Sequence, residues 1–142
     1  MIYADTNLLL SLLCEDDLSG AADAWYRKVE QPVAISLWGV LEFRSNIGLR
    51  VRKGWLPRVK GQAAISELDQ LTRASLHSLV PTEGDFVKAR DWLASPGCAL
   101  RSGDALHLAI AFGHGCVEFV SFDRALGAAA KKLGLPVRIL RA

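Results

Sequence analysis

The chain is poor in several features that would mark a protein class. Its 142 residues hold three cysteines, Cys14, Cys98 and Cys116, an odd number without any CxxC pair. That excludes a disulfide framework and a thiolate zinc or redox centre. Each cysteine reads instead as a small buried hydrophobe. No apolar run approaches the ~20 residues needed to cross a bilayer. Met1 leads straight into an apolar segment, with neither a basic leader nor a cleavage pattern, so a cytoplasmic protein without membrane contact is expected. The net charge is only +2, too small to demand a nucleic-acid partner by itself. Repeats, low-complexity tracts and linkers are absent too, so residues 1–142 read as a single domain.

What is present is an alternation. Short apolar runs, "IYAD", "VAIS", "HSLV", "CVEFVSFD" and "VRIL", have the length and composition of buried strands. Between them lie helical patterns with recognisable ends. Asp5 or Thr6 can cap "TNLLLSLL", Ser36 can cap the long helix that ends near Gly54, and Pro57 can start the next. Thr82 and Asp85 have capping-box spacing. "DALHLAIAFGHG" is apolar nearly all round, the mark of a central helix. The alternation predicts an α/β fold, a three-layer α/β/α sandwich around a mainly parallel five-stranded sheet.

Four acids stand out against that frame. Ligands of an open parallel sheet bind beyond the carboxyl ends of its strands. Asp5 ends the first strand, Asp123 ends the fourth, and Asp104 opens the apolar helix. Glu42 sits in the second turn of the helix after the second strand, between Leu41 and Phe43. Each aspartate has a plainer explanation as a helix cap, and Glu42 could reach Arg44 or solvent. Jointly the plain readings weaken, because four independent accidents would have to point to one end of one sheet. Four carboxylates gathered there repel one another and cannot all stay ionised. A divalent cation resolves that conflict. Oxygen-only ligation favours Mg²⁺ or Mn²⁺ over Zn²⁺.

This pattern resembles the PIN-domain nucleases, and especially VapC-type toxins of bacterial toxin–antitoxin pairs. The resemblance rests on Asp5 in "YADTNLLL", Glu42 in "SLWGVLEFRS", Asp104 in "LRSGDALHLAIA" and Asp123 in "FVSFDRAL", in the family's order and approximate spacing. It implies Mg²⁺- or Mn²⁺-dependent cleavage of RNA, a homodimer, and neutralisation by a small antitoxin protein. It makes Asp5, Asp104 and Asp123 the expected metal ligands, and Glu42 the residue that orients or deprotonates the attacking water. Thr6, Asn7 and Ser121 are expected to support these carboxylates by hydrogen bonds. A housekeeping RNA-processing nuclease, or a non-catalytic RNA- or protein-binding module, are the alternatives. A phosphatase of the haloacid-dehalogenase type fits poorly, since it needs an aspartate where Asn7 stands.

The stretch "RSNIGLRVRKGWLPRVKG", from Arg44 to Gly61, carries six basic residues and no acid. Beside a nuclease site, Arg50, Arg52 and Lys53 read as an RNA track or an antitoxin-docking groove. Trp55 is the aromatic best placed for a stacking contact. Arg101 or Arg90 could stabilise charge on the phosphate. His107, one turn after Asp104, reads as a core histidine satisfied by its neighbours rather than a metal ligand. His114 reads as a helix C-terminal group.

Overall fold

A computed structural model describes all 142 residues. The five strands are β1 (Ile2–Ala4), β2 (Val33–Ser36), β3 (His77–Leu79), β4 (Glu118–Ser121) and β5 (Val137–Ile139). They form one all-parallel sheet in the order β3-β2-β1-β4-β5. The chain builds outward from β1 to β3, then crosses back so that β4 pairs on the other side of β1. The order therefore reverses at β1 and β4, which makes their carboxyl ends the switch point where such sheets bind ligands.

Seven helices cover the sheet: α1 (Thr6–Leu13), α2 (Ser19–Lys28), α3 (Leu37–Arg52), α4 (Arg58–Ala74), α5 (Glu83–Leu93), α6 (Ser102–Gly113) and α7 (Arg124–Lys132). Strand side chains alternate between faces, and this alternation divides the core in two. Ile2, Ala4, Val33, Ile35 and Val120 pack with Leu8 and Leu9 of α1, Phe43 and Ile47 of α3 and Leu68 of α4. Tyr3, Ala34 and Phe119 face the other way, onto Ala89 of α5, Leu108 and Ile110 of α6 and Leu126 of α7. The three-layer α/β/α sandwich expected from the alternation is what forms.

The helix ends follow local chemistry. Ser36 Oγ accepts from Gly39 N–H at 3.0 Å and caps α3. Beyond α3, Gly54 takes φ +72°, a left-handed conformation that glycine adopts without steric cost. Thr82 and Asp85 complete the capping box of α5, with bonds of 3.2 and 2.8 Å. Two helix starts differ from expectation. Pro57 lies just outside α4 as its N-cap rather than within it. Helix α6 begins at Ser102, so Asp104 is its third residue, not its first. The Ser-Gly pair that reads as loop is drawn into the first turn. No helix is long and apolar enough to cross a membrane.

Candidate active site

Strand β1 ends at Ala4, and Asp5 follows, 5% exposed. Its carboxylate serves two purposes. Oδ1 accepts from Thr6 N–H at 2.7 Å and caps α1, while Oδ2 accepts from Ser121 O–H at 2.6 Å. Ser121 is the last residue of β4, so one hydroxyl ties the two switch-point strands together. The same Oγ accepts from Asn7 Nδ2 at 3.1 Å and from Asp123 N–H at 2.9 Å. Asn7 Oδ1 also accepts from Phe122 N–H at 3.3 Å. Asp123 in turn caps α7, its Oδ1 accepting from Leu126 N–H at 3.0 Å. The cap and site readings of these aspartates are thus compatible: one oxygen caps, and the rest of the group remains at the sheet edge.

Glu42 enters from the second turn of α3 and is half-buried. Its Oε1 is held by Thr6 O–H at 3.0 Å and by His107 Nε2. It does not turn to Arg44, which pairs with Asp69 at 2.9 Å, and a third of its side chain stays open to solvent (33%). Glu42 Oε2 is directed toward the start of α6: a Cβ on Gly103 would stand 3.4 Å from it and 3.3 Å from Trp38 Cζ2. A glycine at 103 lets the first turn of α6 approach Trp38 and Glu42 of α3 closely.

The electrostatics follow from this crowding. Burial pushes the Asp5 carboxyl above its ordinary range, against the opposing pull of His107, Ser121 and Thr6. Burial also raises Asp104, and the charges of Asp5, Asp123 and Glu42 raise it further, with only His107 opposing. For Glu42, burial works upward, but the hydrogen bond and charge of His107 and the Thr6 hydroxyl outweigh it, leaving the group below its usual value. Four acids expected at one edge do share one electrostatic environment. As the side chains stand, no three acidic, histidine or cysteine groups surround one point closely enough to hold a metal ion.

His107 belongs to this site in a way that sequence reading missed. It is 1% exposed. Its Nδ1 lies 2.7 Å from Tyr3 Oη, and its Nε2 meets Glu42 Oε1, 3.4 Å from Thr6 Oγ1 and 4.0 Å from Asp5 Oδ1. Tyr3 Oη sits 2.6 Å from Ser36 Oγ. The expectation of a satisfied core histidine is met, but its satisfying partner is Glu42. The signal available in sequence was the one-turn spacing from Asp104, which puts both on one face of α6.

The outlying candidates fare differently. Arg50 is partly buried on α3, while Arg52 and Lys53 are exposed, and Lys53 Nζ lies 5.9 Å from the ring of Trp55, which is 71% exposed. Arg101 is exposed at the N-cap of α6. Arg90 is engaged by Asp91 at 3.0 Å and lines an apolar cavity of about 430 Å³ with Trp38, Phe86, Leu93 and Leu106. It is therefore an apolar-wall and ion-pair residue, not a group aimed at the acids. The Trp38 Nε1–H between that cavity and the site is buried without a partner.

An acid cluster at the switch point of an α/β/α sandwich defines a class of fold, and comparison names it. The PIN-domain family model matches residues 2–132, and the chain belongs to that family. Its fold is similar to that of Mycobacterium tuberculosis VapC20, a sarcin–ricin loop cleaving toxin, with TM-score 0.72 and 20% identity over 91% of this chain and 95% of that one. It is similar to VapBC2 of Rickettsia felis, solved with a DNA fragment from its promoter: TM-score 0.74, 14% identity, 99% and 100% coverage. It is also similar to FitAcB of Neisseria gonorrhoeae: TM-score 0.68, 20% identity, 96% of both chains. None of the curated proteins matches the chain.

Proposed function

We propose that the chain acts, as one domain over residues 1–142, as a Mg²⁺- or Mn²⁺-dependent endoribonuclease, the toxin of a toxin–antitoxin pair. The observation that carries this reading is the shared field of Asp5, Glu42, Asp104 and Asp123 at the switch point of a PIN domain. Fold likeness to a toxin described as cleaving the sarcin–ricin loop supports RNA as substrate, and likeness to VapBC2 and FitAcB supports an antitoxin partner. Exposed Phe86, Val87 and Leu93 on α5 offer a second copy an apolar surface, which supports a homodimer.

The donor set suits a hard divalent cation. All four acids offer oxygen, no thiolate is near, and His107 is already occupied by Tyr3 and Glu42. Mutual repulsion at Asp104 is the condition that a cation relieves. Asp5, Asp104 and Asp123 would hold it. When bound, such an ion lowers the pKa of a coordinated water and neutralises charge on the scissile phosphate.

The remaining work falls to this chain's own residues. Glu42, with Oε1 engaged, keeps Oε2 to orient or deprotonate the attacking water. Ser121, Thr6 and Asn7 hold the carboxylates in place. Arg101, exposed at the start of α6, meets the RNA backbone. Because water rather than the ribose 2′-oxygen attacks, the products carry 5′-phosphate and 3′-hydroxyl ends.

The test is incubation of total cellular RNA with the protein, with and without EDTA, followed by mapping of cut ends. Cleavage that EDTA abolishes and that leaves 5′-phosphates supports the reading. A 2′,3′-cyclic phosphate, or retention of RNA without cleavage, sinks it. A short neighbouring reading frame for a DNA-binding protein separates a toxin from a housekeeping nuclease.

A further inference from the structure

Glu42 is held at the site by one carboxylate oxygen only. It stands on a long side chain, half-exposed, and neither a backbone amide nor a cation is paired with it. Its position depends on what grips Oε1. Two donors do: Thr6 Oγ1 and His107 Nε2. A carboxylate only accepts hydrogen bonds, so the ring nitrogen that faces it must carry the proton.

The other ring nitrogen is accounted for on the far side. Nδ1 lies against the Tyr3 phenol, which burial keeps protonated far above the ordinary tyrosine range. Tyr3 is in turn fixed by Ser36, whose Oγ is anchored by the Gly39 amide. The ring packs edge-on to Tyr3 and Phe119, and a Cβ on Gly39 would come within 3.5 Å of its Cε1. Rotation about the ring axis is thereby opposed from both polar ends and from the flank. A histidine held this firmly fixes whatever it bonds.

We propose that His107 is the positioning residue of Glu42: its Nε2–H pins Oε1 and leaves Oε2 turned toward the first turn of α6 at Gly103, free to meet the attacking water. The Ser36–Tyr3–His107 chain runs from the helix cap of α3 back to the second turn of the same helix. It passes through β1 and α6, and so locks the three elements that carry Asp5, Glu42 and Asp104. This rests on the nuclease reading above and adds a residue to it that touches neither the water nor the phosphate.

The test compares wild type, His107→Gln, His107→Leu and Tyr3→Phe on a single-stranded RNA oligonucleotide, with Asp5→Asn as the inactive control. Glutamine can present an amide N–H near the position of Nε2; leucine cannot. The expected result is a kcat lowered about 10- to 100-fold in His107→Leu with KM little changed. His107→Gln regains most of the loss, and Tyr3→Phe lies between. Nitrogen-15 spectra of the imidazole in the wild-type chain are expected to show Nε2 protonated. A His107→Leu enzyme at wild-type rate, equal losses in Gln and Leu variants, or a bare Nε2 overturns the proposal. Should leucine fail to fold, His107→Gln, Tyr3→Phe and the spectra decide. If the wild type cuts no RNA under any divalent ion, the nuclease reading fails first, and the positioning role falls with it for that separate reason.

Discussion

Ser121 Oγ and Asp5 Oδ2 lie 2.6 Å apart, joining the carboxyl ends of β4 and β1. The pair is buried, and the same hydroxyl receives Asn7 and the Asp123 amide. Ser121→Ala removes the donor to a buried carboxylate and leaves two N–H groups without an acceptor. The expected cost is about 1–3 kcal/mol, read as a shift in the urea midpoint with an unchanged m-value. The activity loss should exceed what that destabilisation explains. A variant as stable and active as wild type would show that Asp5 does not depend on this bond.

The raised protonation ranges of Asp5 and Asp104 give a pH dependence with a definite sign. Between the ordinary carboxylate range and their raised values, the folded chain binds more protons than the unfolded one. Stability therefore falls as pH climbs through that window, and the full penalty remains above it. Glu42 acts in the opposite sense: its contribution is present above the ordinary range and is lost as pH falls through its lowered value. Two raised acids oppose one lowered acid. The Tm of the metal-free wild type is therefore expected to fall more steeply than that of Asp104→Asn as pH rises from the ordinary carboxylate range toward neutrality. Parallel Tm–pH curves for the two proteins would remove the repulsion from the account.

Divalent cations supply the complementary measurement. A ligand that binds only the folded chain stabilises it by mass action, about 2.7 kcal/mol at 100 times Kd. Mn²⁺ or Mg²⁺ should raise the Tm of the wild type at neutral pH. Asp104→Asn should be more stable than wild type without metal, because a charge repelled by three neighbours is gone, and should gain far less on adding metal. An equal gain in both would place the ion elsewhere.

Much of this was legible in the sequence, for identifiable reasons. Strand and helix alternation, the Ser36 and Thr82 caps and the Gly54 stop are local, and short-range rules cover them. Asp5, Asp104 and Asp123 could be placed at one edge of the sheet because strand ends and helix starts lie there, whereas Glu42, in the second turn of α3, follows from no such rule. His107 was not legible. Its meaning depends on Tyr3, 104 residues away, and Glu42, 65 residues away, and only the packed helix α6 brings the three together. Arg90 failed the other way, since its nearest acid is its sequence neighbour Asp91. A charge run or a lone histidine says little until its partners across the fold are known.

Gly103 offers a test of the close approach between α6 and α3. A methyl there would stand 3.3 Å from Trp38 Cζ2 and 3.4 Å from Glu42 Oε2, tighter than ordinary van der Waals contact but relieved by small side-chain shifts. Gly103→Ala should thus cost little stability, within about 1 kcal/mol, since alanine also favours the helix by a similar amount. Its effect should fall on Glu42: kcat lowered about tenfold, with RNA affinity retained. Wild-type kcat in a folded Gly103→Ala protein would mean that the position of Oε2 is not critical.

The basic surface of α3 makes the last prediction. Arg52 and Lys53 are exposed, Arg50 is partly so, and no acid pairs with any of them, whereas Arg44 is already taken by Asp69. Unpaired cations beside an exposed Trp55 can follow a phosphate backbone and stack a base. Binding of single-stranded RNA to a catalytically silent Asp5→Asn protein should therefore weaken with salt. The slope in log K against log salt should be about 0.7 for each phosphate contacted. Reversing Arg50 and Arg52 to glutamate should weaken binding and flatten that slope by one to two contacts' worth, roughly 0.7–1.4. Stability should fall only modestly, by about 0.3–1 kcal/mol for each reversed charge, because both arginines lie in the last turn of α3, where the helix dipole favours cations. If the slope is unaltered, the track lies elsewhere. Loss of antitoxin binding with an unaltered RNA slope would identify the basic face as the antitoxin's groove instead.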